Sequence, residues 1–518
     1  MAAAPEARAI DWRWGAALPA ARAQTVPELM QAALERSGSR TVLVDGEVQA
    51  SWQDLERWSA ALAGALAPTL QRGDRLAILV GNGLPHLIAE LAAWRLGAVA
   101  APLPLVLGAR RLTTLLELLA PRVVLLGDAA LTPCVPPDAL TLAPARLWEL
   151  AQGSQCATRI VCAQEPCLIQ FTSGSTGLPR GVVLSHDNLA SQQTAYAQLW
   201  PEVGAGDRLA SYLPWHHSFG GLAERLWALC RGATLHLVPG GGRDRAQFAA
   251  ALRAIRPTVF MSVPKMHAVV AQEELVAPGQ LRFAFTAGAA LPQAWQTWYE
   301  QRGIPVYEGW GLTESSPSAV ISPPGLSRVP GVIGQPIPGV GVGVEQGTGR
   351  IVIQGPNVML GYYGQEAPCL MRPGPDQILD SGDLGAWTEH GLTLIGRSDQ
   401  VLKFANGEKL HAPSIEATLD VAHIHHGVVT VEDGLVVILE PRSGVSEAQL
   451  LASLQASNAL QSEPWLRIAR AYVAQTPWTI ENGCLTVSMK VARGVVLAAW
   501  RDAQRRSQDY HCLELRRR

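Results

Sequence analysis

The chain has 518 residues, 48% of them hydrophobic and 17% charged, enough to bury a large core in more than one domain; it is neither disordered nor fibrous. A formal charge of −2 gives no general electrostatic reason to bind nucleic acid. Of 42 basic side chains only Lys265, Lys403, Lys409 and Lys490 are lysines, so a position that needs only positive charge will usually carry arginine here. The eight cysteines form no CxxC and no zinc-like spacing with histidine, which points to reduced thiols and a cytoplasmic location. Glu6, Arg8, Asp11 and Arg13 interrupt the N-terminus before a secretory core can form. No uninterrupted apolar run reaches the roughly 18 residues of a transmembrane helix. Trp12 and Trp14 beside Arg13 would suit peripheral membrane contact or ordinary packing.

In chain order, apolar periodicity predicts a helix at 29–34, a strand at 41–44, an amphipathic helix at 52–66, a buried strand at 75–80 and a helix at 84–96. The alternation resumes with strands near 167–171, 235–238, 259–263 and 282–286. Such a rhythm predicts an α/β fold built on a mainly parallel sheet. From 330 to 349 the chain is dense in glycine and proline, and strands at 350–354 and 392–395 give a small β-rich subdomain over 330–398. Beyond it a unit spanning 399–518 mixes strands at 427–431 and 435–439 with helices at 447–454 and 491–503.

The strongest chemical signal follows the strand at 168–171. Thr172, Ser173, Gly174, Ser175, Thr176, Gly177, Leu178, Pro179, Arg180 and Gly181 place four hydroxyls, three glycines and a cation within ten residues. Glycines let backbone N–H groups approach an anion, hydroxyls add donors and Arg180 adds charge, a combination suited to polyphosphate. The loop lacks GxxxxGK[ST] and the GxSxG spacing, so it is neither a Walker loop nor a nucleophile elbow.

This loop resembles the TSGSTGxPKG of the adenylate-forming superfamily: acyl- and aryl-CoA synthetases, luciferases and nonribosomal adenylation domains. Arg180 replaces the usual lysine. The other motifs of that family follow in order. Leu213-Pro214-Trp215-His216-His217-Ser218-Phe219-Gly220 resembles LPxxHxxG, Ala287-Gly288-Ala289-Ala290-Leu291 the turn under adenine, and Glu308-Gly309-Trp310-Gly311-Leu312-Thr313-Glu314 resembles YGxTE. Asp380-Ser381-Gly382-Asp383 resembles TGD, and Gly396-Arg397-Ser398-Asp399 the hinge between a large domain (1–398) and a small mobile α+β domain (399–518). Lys403 to Glu416 continues the pattern, and the segment from Glu481 to Arg493 aligns Lys490 with the family's catalytic lysine. The resemblance spans roughly residues 25–495.

It implies ATP, Mg2+ and coenzyme A, or the phosphopantetheine of an acyl carrier protein, as cofactors and co-substrates. Thr172 to Gly177 and Arg180 would hold the β,γ-phosphates. Gly288, Ala289, Trp310 and Gly311 would form the adenine site, where Trp310 keeps a stacking face but loses a phenol. Asp383 and Arg397 would reach the ribose, Thr313 a phosphate, and Glu314 the magnesium ion. His217 would stand near the substrate carboxylate. Lys490 would bridge that carboxylate and the α-phosphate. Lys403 and Gly407 belong to the pantetheine face, and Asp399 to the hinge. The stretch from Ala254 to Lys265 resembles LRPTVFxSVPR of long-chain acyl-CoA synthetases, and the ENGxLTxxxKxxR ending resembles theirs too, which favours a medium- or long-chain fatty acid. An aryl or other acid, a carrier-protein acceptor, and a non-catalytic nucleotide-binding relative remain alternatives.

Overall fold

A computed structural model of the protein describes residues 9–105, 107–172, 179–325, 328–364, 370–372, 377–404, 408–486, 490–506 and 510–515. The chain divides into two compact units. Arg180–Ile395 and nearly all that precedes it form the first; Gly396–Arg518 makes up most of the second.

Local signals set the helices of the first unit. Thr25 and Glu28 close a capping box at the start of Val26–Ser37, Ser51 and Asp54 do so for Trp52–Leu66, and Ser185 and Asn188 for His186–Leu199. Each satisfies two backbone donors that would otherwise be orphaned, a contribution of about 1 kcal/mol. Leu84–Arg95 is buried along almost its whole length and lies between layers, which explains its lack of amphipathic contrast.

Two sheets organise the unit. In the first, Val306–Trp310, Phe283–Ala287, Val259–Ser262, Arg208–Ser211, Thr234–Leu237 and Thr41–Asp45 run parallel, as the alternating sequence implies. The glycine- and proline-rich segment forms antiparallel strands, Val332–Pro336, Gly341–Glu345, Arg350–Gln354, Ile378–Trp387 and Leu392–Arg397. These continue edge to edge from the parallel strands through Val320–Ile321. The second sheet orders Gly361–Tyr362, Arg180–Ser185, Pro166–Thr172, Val99–Pro102, Arg75–Leu79, Val123–Leu126 and Leu140–Leu142.

The N-terminal tryptophans form a strand that periodicity did not single out. Ile10–Trp14 pairs antiparallel with Gly341–Glu345. Gly341 makes the room, since a Cβ there would lie 2.7 Å from the Trp14 ring. Arg13 lies 4.6 Å over the Trp387 ring and donates to the carbonyl of Thr388.

In the second unit, Ile424–Val431, Leu435–Pro441, Ile468–Ala474 and Tyr510–Glu514 form a four-stranded sheet, and Val401–Lys403 pairs with Lys409–His411. Its sheet has a core on each face: Val429, Val437 and Leu439 on one side, Val428, Val436 and Ile438 with Trp478 and Trp500 on the other. Among the described residues no helix is long and apolar enough to cross a membrane. Cys134, Cys156, Cys162, Cys167, Cys230, Cys484 and Cys512 are free thiols.

Candidate active site

The candidate residues of the first unit collect where strands end. Ligands of open α/β sheets sit beyond the carboxyl ends of parallel strands, because the turns there expose backbone donors and helix starts. Phe283–Ala287 ends at Gly288 and Ala289, which are exposed. Val306–Trp310 ends beside them, with Ala287 opposite Gly309. The next residue must be glycine: a Cβ on Gly311 would lie 2.1 Å from the carbonyl oxygen of Pro317. That close approach turns the chain directly into the short helical turn Thr313–Ser315.

Trp310 is 8% exposed, and its indole N–H donates to Asp383 Oδ2 at 2.9 Å. This bond ties Val306–Trp310 to Ile378–Trp387. The turn around Asp383 is itself fixed. Gly382 N–H donates to Asp380 Oδ1, Asp383 N–H donates to Ser381 Oγ, and Ser381 Oγ donates to the carbonyl of Ile351. Arg350 pairs with Asp380.

A second string starts at the hairpin Pro166–Thr172 and Arg180–Ser185, whose register sets Thr172 opposite Arg180. Thr172 Oγ1 donates to the Arg180 carbonyl at 3.4 Å. The Arg180 guanidinium lies 4.6 Å over the ring of Tyr362, and the Tyr362 hydroxyl donates to Glu314 Oε1 at 2.8 Å. One aromatic side chain therefore spaces the candidate phosphate cation from the candidate metal carboxylate. Tyr362 reaches this place because Gly361–Tyr362 adds to the edge of Arg180–Ser185, with Tyr362 opposite Val182.

Thr313 Oγ1 and Ser218 Oγ are 3.2 Å apart, which brings the motif of His217 against that of Glu314. His217 packs on His216, ring centroids 4.4 Å apart. Burial, with the neighbouring His217 second, pushes His216 down to about 3, so it is a neutral wall at ordinary pH.

Arg397, Lys403 and Lys490 belong to the second unit. Arg397 Nε lies 3.6 Å from Asp399 Oδ1. Lys403 is exposed and opposite Lys409 in its hairpin. Lys490 is exposed, and its loop is closed by paired backbone contacts: Thr486 N–H donates to the Lys490 carbonyl, Lys490 N–H to Thr486 Oγ1, and Leu485 bridges Val491. Ser173, Gly174, Ser175, Thr176, Gly177 and Gly407 lie outside the described residues.

Two observations test whether phosphate and magnesium fit. Arg180 Nε is buried and has no hydrogen-bond partner among the described residues. Glu314 keeps Oε2 without a hydrogen bond among those residues, next in chain to the Thr313 hydroxyl. Such hard oxygens are the donors Mg2+ prefers. Sequence reasoning missed Tyr362 and the Trp310–Asp383 bond. No local signal could have found Tyr362, which lies 48 residues from Glu314 and further from Arg180.

The chain is similar to known proteins over most of its length. A family model described as AMP-binding enzyme matches residues 30–363, more than half of the chain. The mitochondrial malonate–CoA ligase ACSF3 of Xenopus laevis is 24% identical over 511 residues, covering 82% of this chain and 85% of that protein. The long-chain-fatty-acid–CoA ligase FadD13 of Mycobacterium tuberculosis is 28% identical over 380 residues, 68% of this chain and 73% of that protein. Among solved structures, ATP-bound MatB from Rhodopseudomonas palustris superposes with a TM-score of 0.74 at 25% identity, covering 92% of this chain and 99% of MatB.

Proposed function

The chain belongs to the AMP-binding enzyme family, and from that premise we propose that it is an AMP-forming acid–thiol ligase that activates a medium- or long-chain fatty acid and passes it to coenzyme A. The observation that carries the reading is the convergence of Arg180 and Glu314 on Tyr362, with Thr313 against Ser218 and Asp383 bonded to Trp310.

In the first step a carboxylate oxygen attacks the α-phosphorus of ATP, the acyl–oxygen–phosphorus bond forms, and the bond to pyrophosphate breaks. Two anions meet, so the barrier is electrostatic and orientational. Arg180 and the amides of the loop after Thr172 hold the leaving pyrophosphate. Glu314 would hold a magnesium ion, which when bound offsets charge on the phosphate oxygens, and Thr313 would contact a phosphate. Asp383 accepts the ribose hydroxyls in an orientation set by Trp310, and the Gly288–Ala289 turn lies against the base. Lys490 supplies a cation to the developing charge, a contribution of about 3–4 kcal/mol for one preorganised donor. In the second step a thiol sulfur bonds to the acyl carbon and AMP leaves. His217 lines the acyl side. Arg397 and Lys403, with Gly407, belong to the second unit, which changes place about Asp399 to present the thiol. An acyl carrier protein offers the same phosphopantetheine thiol and is the second acceptor.

A fatty acid is supported by the stretch from Ala254 to Lys265, by the segment carrying Lys490, and by similarity to a long-chain ligase. Relatives named for malonate show that the shared scaffold serves other acids. The test is carboxylate-dependent exchange of pyrophosphate into ATP over octanoate, palmitate, malonate, benzoate and ferulate. Octanoate to palmitate should support the fastest exchange. A ranking led by malonate or an aromatic acid overturns the substrate, and no exchange with any acid overturns the ligase reading. Coenzyme A or a holo carrier protein, added with the best acid, then identifies the acceptor.

A further inference from the structure

The second unit contains a cluster that none of this chemistry uses. His425, His426 and Glu440 each offer one ligand atom, and the three atoms lie within 4.8 Å of one another. Consecutive residues of a strand normally point to opposite faces. Here they do not, because the register of Ile424–Val431 against Leu435–Pro441 shifts between Ile424, which pairs with Pro441, and His426, which pairs with Glu440. His425 is the extra residue of this β-bulge. Bulges re-aim side chains, and this one stacks the two imidazoles 4.2 Å apart at 25° beside the facing carboxylate.

The cluster is also unsatisfied. His426 Nε2 and Glu440 Oε2 are buried without a hydrogen-bond partner among the described residues, and Glu440 is only 8% exposed. His425 Nδ1 stands 3.8 Å from Glu440 Oε2, too far for a hydrogen bond yet close enough to share an ion. Buried polar atoms are normally paired, so two orphans in one cluster call for a missing partner. Trp478 stacks on the site, its ring parallel to His426 within 9° at 6.0 Å, and Arg442 Nε donates to the carbonyl of Val421. His425 is exposed and leaves an entry path.

We propose that His425, His426 and Glu440 form a site for a borderline transition-metal ion of the zinc class, separate from the magnesium site of adenylation. Two imidazole nitrogens and one carboxylate oxygen are a donor set that zinc takes with a fourth position left to water. Tetrahedral bonds of about 2.0–2.1 Å place ligand atoms about 3.4 Å apart, so the site closes by roughly an ångström around the ion. Magnesium, which demands six oxygens, does not compete here. The ion would brace Trp478, which opens the segment leading to Lys490.

The test uses the full chain, stripped with a chelator and returned to excess magnesium. Calorimetric titration with zinc chloride should show one saturable equivalent, and cobalt chloride should give visible ligand-field bands. His425→Ala and Glu440→Gln should each weaken zinc binding by at least the roughly 10- to 100-fold that even outer-shell partners are worth. His511→Ala removes another exposed histidine beside a carboxylate, Glu447, and should leave binding unchanged. His425 is at the surface, so its variant should keep the circular dichroism and melting temperature of the metal-free protein. Absence of a saturable equivalent, or unaltered zinc binding in folded His425→Ala and Glu440→Gln, overturns the proposal.

Discussion

At the scale of single residues, the contact between Trp310 and Asp383 makes a sharp demand. The indole N–H is the donor that orients the carboxylate, and a hydrogen bond to a charged group contributes about 1.5–3 kcal/mol. Trp310→Phe keeps an aromatic face and removes that donor. We expect nucleotide affinity to fall by about 10- to 100-fold with the fold intact, read as the KM for ATP in pyrophosphate exchange; an unchanged KM would show that Asp383 does not need the indole. Tyr362→Phe makes a parallel demand, since the ring still faces Arg180 while the hydroxyl that holds Glu314 is gone. Outer-shell partners of this kind are worth about 10- to 100-fold in metal affinity, so the magnesium concentration for half-maximal rate should rise by a similar factor. A magnesium curve that superposes on wild type would remove Tyr362 from the site. The motif spacing singles out Trp310, Thr313, Glu314 and Asp383 because those residues sit in short runs of recognisable pattern. It could not show that Trp310 bonds to Asp383, 73 residues away, since sheet pairing makes that contact.

At the scale of elements, the same contrast holds. The helix Trp52–Leu66 and the strand Arg350–Gln354 were legible to the residue because a cap or a clean alternation marks their ends. The segment Phe219–Leu226 was not, for it is a π-helix, which no apolar period predicts. It buries Glu224 completely, with Ser211 Oγ donating to Glu224 Oε2 at 2.6 Å. Burial raises Glu224 from 4.5 to about 8, the bond from Ser211 opposing only in part. The folded state therefore holds a proton that the unfolded chain releases. Its stabilising effect is complete below about 4.5 and is lost progressively as pH rises to about 8, at a slope of up to roughly 1.4 kcal/mol per pH unit. Glu224→Gln imitates the protonated form and should flatten the dependence of melting temperature on pH over that window. A variant that melts with the same pH slope as wild type would place the titration elsewhere.

At the scale of the whole molecule, the two units have separate cores, one drawn from residues between Val26 and Leu392 and the other from residues between Leu410 and Leu515. Separate cores permit separate melting, and a ligand stabilises the unit that binds it by RT ln(1 + [L]/Kd), about 2.7 kcal/mol at a hundredfold excess over Kd. Of the residues assigned to AMP, Gly288, Trp310 and Asp383 lie in the first unit and Arg397 in the second, which also holds His425, His426 and Glu440. Scanning calorimetry should then show two endotherms that answer to different ligands. Saturating AMP, with most of its assigned residues in the first unit, should raise the larger by a few degrees and the smaller by less, while zinc should raise the smaller alone. The two shifts should add when both ligands are present, because no binding residue is shared. A single endotherm that both ligands move together would mean that the units unfold as one and that the division of labour between them is not thermodynamic. AMP moving only the smaller endotherm would put the nucleotide on the wrong unit altogether.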